Sequence, residues 1–455
     1  MPLKFHRLVL PLLLILSSIL SLTACRQEAS PALARMMMDE GALPAASGPD
    51  LFYSCNDGSL LYTYGDADIF RFAQQCADCE AEGYERYSSA VMGSTAAVTY
   101  VKDRAMAHVY WHATTKELNV VLSQDAGATL PPAEPTASEG SVPCTITQIM
   151  DDTNDIGMGY VVQLTDGSYI VYDGSFAEQA DRIEQFLLDH HPGEGLPLVR
   201  AWVLTHSHQD HVEAFRTLAQ RARQEATFTI EYVIVSPMNH AEYQLSDEDS
   251  TAYLSTELYS DVAAFTGAQV VFAHTGMTFA FGNLRMEVLY TPESLFKSTE
   301  DIYYFNNTSV VTRLYDENYS ALFLGDVGEL GTDLMIRCYG DSYLSSDACQ
   351  IAHHGLEDVP LSFYEVVRAP LLLYPCSQRA YDQRGQNGST RRGLQEKPYT
   401  KEILIAGLSQ YTVPWGKKFE ASATLSMPDY IPLDEPKDDF PNSINRPLLH
   451  INTTE

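Results

Sequence analysis

Ala201-Trp202-Val203-Leu204-Thr205-His206-Ser207-His208-Gln209-Asp210-His211-Val212-Glu213-Ala214-Phe215 is the stretch that decides how this chain is read. A buried strand, Val199 to Leu204, runs into three His and one Asp within six positions, and a helix follows from Val212 to Arg223. Two His two positions apart at a strand end aim both imidazoles at one cation. Asp210 and His211 then turn away and can hold a second cation beside it. Imidazole and carboxylate are the donors that Zn²⁺ and similar divalent ions prefer. By composition alone the pattern H-x-H-x-D-H arises roughly once in a thousand chains of this length, so a chance surface cluster is the poorer reading.

Working outward, short apolar strands alternate with helices. Tyr160–Leu164 and Tyr169–Tyr172 flank Thr165-Asp166-Gly167-Ser168, a hairpin turn signal. Ala177–Asp189 has helical amphipathic spacing, and His190-His191-Pro192-Gly193 after it reads as a helix-ending turn. Strands are expected within 227–235 and 268–290, then at 308–314, 320–325 and 348–352, with a helix near 328–337. Helices and strands recur to about residue 425, so 142–430 reads as one large α/β domain. No internal repeat is visible.

Five further segments make this part of the chain resemble the metallo-β-lactamase superfamily, a four-layer αββα sandwich with metals at its strand ends. Tyr172-Asp173-Gly174-Ser175 matches the family's Asp that braces the metal loop without ligating. Leu324-Gly325-Asp326-Val327 matches its bridging carboxylate, and Ile351-Ala352-His353-His354-Gly355 its last His ligand. Asn306-Asn307-Thr308-Ser309-Val310-Val311 looks like the corresponding domain of DNA-uptake competence channel proteins. The segment from Pro398 through Gly407, Tyr411-Thr412-Val413 and Gly416 resembles the end of that domain. Taken singly, Asp326 also suits a helix N-cap and Asp173 a turn cap. The resemblance covers roughly 142–425 and implies two divalent ions, zinc foremost and manganese next, held by His206, His208, Asp210, His211, Asp326 and His354. It implies a metal-activated hydroxide as nucleophile, with Asp210 orienting it and His353 donating to a phosphate oxygen or leaving group.

One position departs from the pattern. Many family members carry another His ligand after the strand read here as Leu284–Tyr290, where this chain continues Tyr290-Thr291-Pro292-Glu293-Ser294. Glu293 is a candidate oxygen ligand in its place, His240 and His274 are candidates from elsewhere, and water is the remaining choice. The departure argues against a penicillin-destroying enzyme.

The rest of the sequence sets the context. The 455 residues carry 29 Lys+Arg against 60 Asp+Glu, a net charge of −31, with 45 % hydrophobic and 20 % charged residues. Such a chain buries ordinary cores and does not bind polyanions over its whole surface. Arg379, Arg384, Arg391 and Arg392 cluster near the motif-bearing end, diluted by Asp382. Residues 1–24 read as an export signal: Lys4 and Arg7 precede a short apolar run, and Leu22-Thr23-Ala24-Cys25 resembles a bacterial lipobox, which implies lipidation at Cys25 and anchorage on the outer face of a membrane. Residues 25–50 read as a tether, 51–125 as a small α+β domain, 126–141 as a Pro/Ser/Gly-rich linker and 431–455 as a tail. His108 and His112 in the small domain read as packing or surface residues, and Cys76-Ala77-Asp78-Cys79 as a local disulfide or two plain thiols. The expected function is a surface-anchored metallohydrolase of a phosphodiester or related ester. Nucleic acid and envelope-linked phosphate are the candidate substrates, with a compact ester or choline-like substituent ranked level with DNA. The alternative is a non-catalytic metal-binding lipoprotein that acts as a binding module.

Overall fold

The computed structural model describes residues 49–136, 140, 142–152, 156–238, 253–295, 305–356, 359–385 and 389–429; Cys25, His240 and the segments read as signal and tail lie outside them. Three sheets carry the fold. The first holds β1 (Leu51–Ser54), β2 (Leu60–Tyr64), β3 (Glu85–Met92), β4 (Thr95–Lys102), β5 (Ala105–His112) and β6 (Glu117–Ser123), in the antiparallel order β1-β2-β6-β5-β4-β3. Helix α1 (Ile69–Ala81) starts where the Asp68 carboxylate accepts from Arg71 N–H. It lays Phe72, Cys76 and Cys79 on one face of this sheet, against Val98, Tyr100, Val109, Trp111 and Val120.

The second sheet holds β7 (Thr145–Gln148), β8 (Gly159–Gln163), β9 (Tyr169–Asp173), β10 (Leu198–Val203), β11 (Thr229–Val235) and β12 (Gln269–Phe272). The third holds β13 (Thr278–Phe281), β14 (Leu284–Tyr290), β15 (Val311–Tyr315), β16 (Ser320–Phe323), β17 (Ala348–Gln350), β18 (Leu371–Tyr374) and β19 (Glu402–Ile405). Strand β20 (Tyr411–Pro414) crosses back to pair antiparallel with β7, which closes the second sheet as β12-β11-β10-β9-β8-β7-β20. Strands β9 to β12 run parallel, so their C-terminal ends share one edge.

The two seven-stranded sheets face each other. Ile170, Tyr172, Ala201, Val203 and Ile234 meet Met286, Val288, Leu314, Ala321 and Phe323 in the core between them. Alternate residues of the same strands point outward. Tyr169, Val171, Val199, Trp202 and Val233 pack under α2 (Ala180–Asp189), α3 (Gln209–Ala222), α4 (Tyr253–Thr256) and α5 (Leu258–Val262). Leu322, Cys349, Leu372 and Ile403 pack under α6 (Glu329–Tyr339), α7 (Leu361–Val367), α8 (Gln378–Gly385) and α9 (Ser389–Glu396). Strands buried on both faces read as continuous apolar runs, which is why Val199–Leu204 shows no polar alternation apart from Arg200. The result is an αββα sandwich with an additional N-terminal sheet. Among the described residues no helix is long and apolar enough to cross a membrane.

The N-terminal sheet presses its other face onto the sandwich, adding Leu61, Ala97, Met106, Tyr110 and Val121 to the inter-sheet core. Residues of the segment read as a linker run along the same border: Ala280 N–H donates to Pro132 O and Thr136 N–H to Gly282 O. Its β3–β4 turn docks against the end of α6. Ser94 Oγ and Thr95 Oγ1 both donate to Cys338 O, at 2.6 and 2.9 Å, and a Cβ on Gly93 would stand 1.8 Å from Tyr339 O. His108 and His112 are buried; the Nε2–H of His108 donates to Thr275 O at 2.9 Å, and His112 Nδ1 lies 2.7 Å from Thr95 Oγ1.

Burial holds both imidazoles neutral, down to about 4 each. In the unfolded chain they take up protons near pH 6.5, so the unfolded state binds more protons between the two values. Their contribution is therefore complete above pH 6.5 and is lost as pH falls toward 4, by roughly 3 kcal/mol per His at the limit. Thermal melts from pH 7 down to pH 4.5 should show this loss, and His108→Gln should flatten part of it.

Candidate metal centre

The shared C-terminal edge of β9 and β10 starts the site. Strand β9 ends on Asp173, at φ +51°. Its fully buried carboxylate accepts from Thr205 N–H at 2.7 Å and Thr205 Oγ1–H at 2.8 Å, and His211 Nδ1 lies 2.7 Å from Oδ2. The carboxylate can only accept, so His211 carries its proton on Nδ1 and turns Nε2 into the site. Asp173 thus braces the loop and stands clear of the ligand groups. His208 adopts the extended N-cap conformation and α3 begins at Gln209. Asp210 and His211 therefore lie in the first helical turn, three residues earlier than the sequence reading starts that helix, because the cap is the histidine itself.

Asp326 arrives from the loop after β16. Gly325, at φ +55°, permits that turn, and a Cβ there would come within 3.0 Å of Thr205 and Ser309. Asp326 N–H donates to Ser309 Oγ at 3.0 Å, and Gly328, not Asp326, caps α6. Beyond β17, His353 and His354 both take left-handed conformations (φ +46° and +54°), a costly arrangement of the kind functional sites retain. His354 Nδ1 lies 2.6 Å from Pro375 O, a carbonyl that can only accept, so its Nε2 also faces inward unprotonated when the ring is neutral.

These loops bring all six sequence-identified ligands together in two groups that share Asp326. Asp210, His211, Asp326 and His354 form one, and His206, His208 and Asp326 the other, each with ligand atoms within 4.8 Å of one another. In the first group His354 Nε2 lies 3.0 Å from Asp210 Oδ2, 3.3 Å from Asp326 Oδ2 and 3.3 Å from His211 Nε2. His211 Nε2 lies 3.1 Å from Asp326 Oδ2 and 3.6 Å from Asp210 Oδ2. Ligands of a tetrahedral zinc at about 2.0–2.1 Å are themselves roughly 3.3 Å apart, so the cluster has the right size. Two imidazole lone pairs facing carboxylates and each other repel unless a cation or protons lie between them. Asp326 Oδ1 is moreover buried without a hydrogen-bond partner. The residues present fit a pair of divalent ions.

The electrostatics agree. Burial disfavours the imidazolium of His354, yet Asp326 and Asp210 outweigh it and raise the ring to about 10. His211 is raised for the same reason, burial opposing and Asp326, Asp173 and Asp210 prevailing. Both Asp210 and Asp326 are held below the ordinary carboxylate range: burial acts against this, and the two imidazoles overcome it. His206 goes the other way, pushed down by burial and by its His neighbours.

The second group, around His206 Nε2 and His208 Nδ1 at 2.9 Å, has three protein ligands among the described residues. Glu293 does not supply a fourth. Its Oε2 takes His274 Nδ1 at 2.7 Å, and its Oε1 accepts from Thr275 N–H and Tyr110 Oη–H at 2.9 Å each. That network occupies both carboxylate oxygens and the Nδ1 of His274, and neither residue stands in either ligand group; the other ring nitrogen of His274 is buried without a hydrogen-bond partner. Zn²⁺ titration against a chromophoric chelator should accordingly show one tight ion at the four-ligand position and a second bound at least about tenfold more weakly.

Sequence reasoning missed the supports. Thr205 bridges Asp173 to the His loop, and Val310 N–H donates to Thr205 O. Gln350 Nε2 donates to Gly325 O and Ile351 O. The Asn306–Ser309 stretch is one of these supports. Asn306 Nδ2 contacts His353 Nε2 at 3.0 Å, Asn307 Oδ1 accepts from Gly328 N–H, and Ser309 reaches Asp326.

An αββα sandwich that gathers His and Asp ligands at one strand edge defines a metal-binding class of protein. The chain belongs to the metallo-beta-lactamase superfamily, whose family model matches residues 153–381 and so includes Asp173 and all six ligands. Among solved structures it is similar to the metallo-beta-lactamase fold protein YhfI from Bacillus subtilis, with 13% identity over 51% of this chain and 85% of that one at a TM-score of 0.34. It is also similar to Zn²⁺-bound PqqB from Methylobacterium extorquens, with 17% identity over 43% and 59% at 0.28. The diiron β-hydroxylase CmlA from Streptomyces venezuelae shows 14% identity over 60% and 46% at 0.31. These likenesses concern the fold alone. No curated protein matches the chain.

Proposed function

We propose that the chain is a metal-dependent hydrolase of a phosphodiester or related ester, tethered to the outer face of a membrane through Cys25. The observation that carries this is the pair of ligand groups sharing Asp326, one of which holds three ligands among the described residues and can take a substrate oxygen or water as a further one. Imidazole and carboxylate donors favour zinc, with manganese next. When bound, two such ions supply an acidified water and stabilise charge developing on a phosphoryl oxygen.

The chain's own groups do the rest. Asp210, half-buried and kept ionised by the His211 and His354 imidazoles, accepts a hydrogen bond from the attacking water and orients it. Asn306 Nδ2, 3.0 Å from His353 Nε2 and 3.4 Å from its Nδ1, holds that ring in place. His353 donates to a phosphoryl oxygen or the leaving group. Asp173 holds the His211 ring in its tautomer throughout.

The acidic surface favours a compact ester over long nucleic acid. Arg391 bonds Tyr381 O and lies 4.3 Å over the Tyr381 ring, which takes one cation out of the cluster that DNA would need. The anchoring part of the proposal rests on the lipobox-like sequence. The test is a chromogenic phosphodiester with added Zn²⁺ or Mn²⁺. Asp210→Ala should lower turnover at least about a hundredfold. Equal turnover by that variant, or none by wild type, would defeat the hydrolase reading; metal uptake without turnover would favour a binding lipoprotein.

A further inference from the structure

The two ligand groups are braced from different places. The four-ligand group is held by the sandwich itself: Asp173 on His211, Pro375 O on His354, and Met158 N–H donating to Asp210 O. In the three-ligand group the sandwich reaches His206, whose Nδ1 lies 3.1 Å from Thr205 Oγ1 and 3.5 Å from Ser309 Oγ. Two further threads run to Ser207 and His208 of the same arm from the N-terminal sheet.

The first thread begins at Tyr110 on β5. Its hydroxyl donates to Glu293, which fixes Thr275 N–H and His274. His108, two residues before Tyr110, holds Thr275 O at 2.9 Å. Thr275 Oγ1 lies 2.9 Å from Thr291 Oγ1, the residue standing directly after β14 where many family members have their extra His. Tyr290 beside it donates through Oη to Asn307 O at 2.6 Å. That bond holds the turn whose Phe305 ring lies 5.3 Å from the His208 ring. The second thread is shorter. Asn56 Nδ2, in the β1–β2 hairpin, donates to Ser255 O at 3.3 Å, and Leu254 N–H next to it donates to Ser207 Oγ at 3.4 Å.

We infer that the N-terminal sheet is a positioning element of the three-ligand metal position, in which Tyr110, through Glu293 and Thr275, orders by hydrogen bonding the turns beside His208. Tyr110 stands in neither ligand group; it acts through the turns that carry Thr291 and Phe305. The inference rests on the two-position metal reading and is independent of the ester substrate.

The experiment uses the whole chain and Zn²⁺ alone, titrated against a chromophoric chelator to resolve both positions. Tyr110→Phe removes one hydrogen bond to a buried carboxylate and keeps the ring. It should weaken the second ion about tenfold while the first stays within twofold of wild type. Ser94→Ala loosens the same domain border at its other end, off both threads, and should leave both affinities unchanged. Restoring a donor with Tyr110→His should recover part of the loss. Equal weakening of both ions, an equal effect from Ser94→Ala, or no change in Tyr110→Phe overturns the inference alone. A wild-type chain that takes a single ion overturns it together with the two-position reading.

Discussion

Asp326→Ala should empty both metal positions at once. Its Oδ2 is shared by the two ligand groups, lying 3.1 Å from His211 Nε2, 3.3 Å from His354 Nε2 and 3.8 Å from His206 Nε2. Without it the group around His206 and His208 keeps two ligands, too few for a stable divalent site. Bound zinc in the purified variant should fall from about two equivalents to less than half of one by elemental analysis. Phosphodiester turnover should fall at least about a thousandfold, roughly 4 kcal/mol of transition-state stabilisation. Loss of one ion with the other retained would mean that Asp326 serves a single position. A circular-dichroism spectrum matching wild type would show that metal, and not the fold, was lost.

Gly93→Ala should separate the N-terminal sheet from the sandwich without touching the metals' ligands. Gly93 sits at φ +60°, where an L side chain costs about 1 kcal/mol or more, and its Cβ would lie 1.8 Å from Tyr339 O. Neither backbone can yield cheaply, since Ser94 and Thr95 on one side and Cys338 on the other are hydrogen-bonded across the same border. A loss on the order of 3 kcal/mol is expected, seen in calorimetry as a lowered or split melting transition. Gly93→Asn tolerates the positive φ better but brings the same Cβ, and should fare no better. A melting temperature within a degree of wild type for both would show that this border is soft.

The sandwich and the ligands were legible because they obey short-range rules. Doubly buried strands make apolar runs, and ligands at strand ends sit beside those runs in sequence, as His206 to His211 do. Asp326 and His354 were legible through the family resemblance, since Asp326 alone after its strand suits a helix N-cap as well. Other parts left no such trace. Strand β3 is half exposed and rich in polar residues, and β7 has four residues, so neither stands out from loop. The return of β20 to the second sheet is a topological choice that no local pattern encodes. The braces are Ser, Thr and backbone carbonyls, which carry no distinctive spacing. Glu293 shows the limit most clearly. Its place after β14 suggested a ligand, but the direction of its side chain is set by Tyr110, 183 positions earlier in the chain.

The sulfur atoms carry a last consequence. None of Cys55, Cys76, Cys79, Cys144, Cys338, Cys349 and Cys376 is joined in a disulfide, and all but Cys144 are buried; the Cys76–Cys79 pair lies on one helix as two separate side chains. Burial pushes Cys76 up to about 12 and Cys79 to about 11, which keeps them as sluggish, uncharged groups. The architecture of these seven sites therefore asks nothing of an oxidising folding catalyst. Purification under a phosphine reductant should protect the protein and leave its shape untouched.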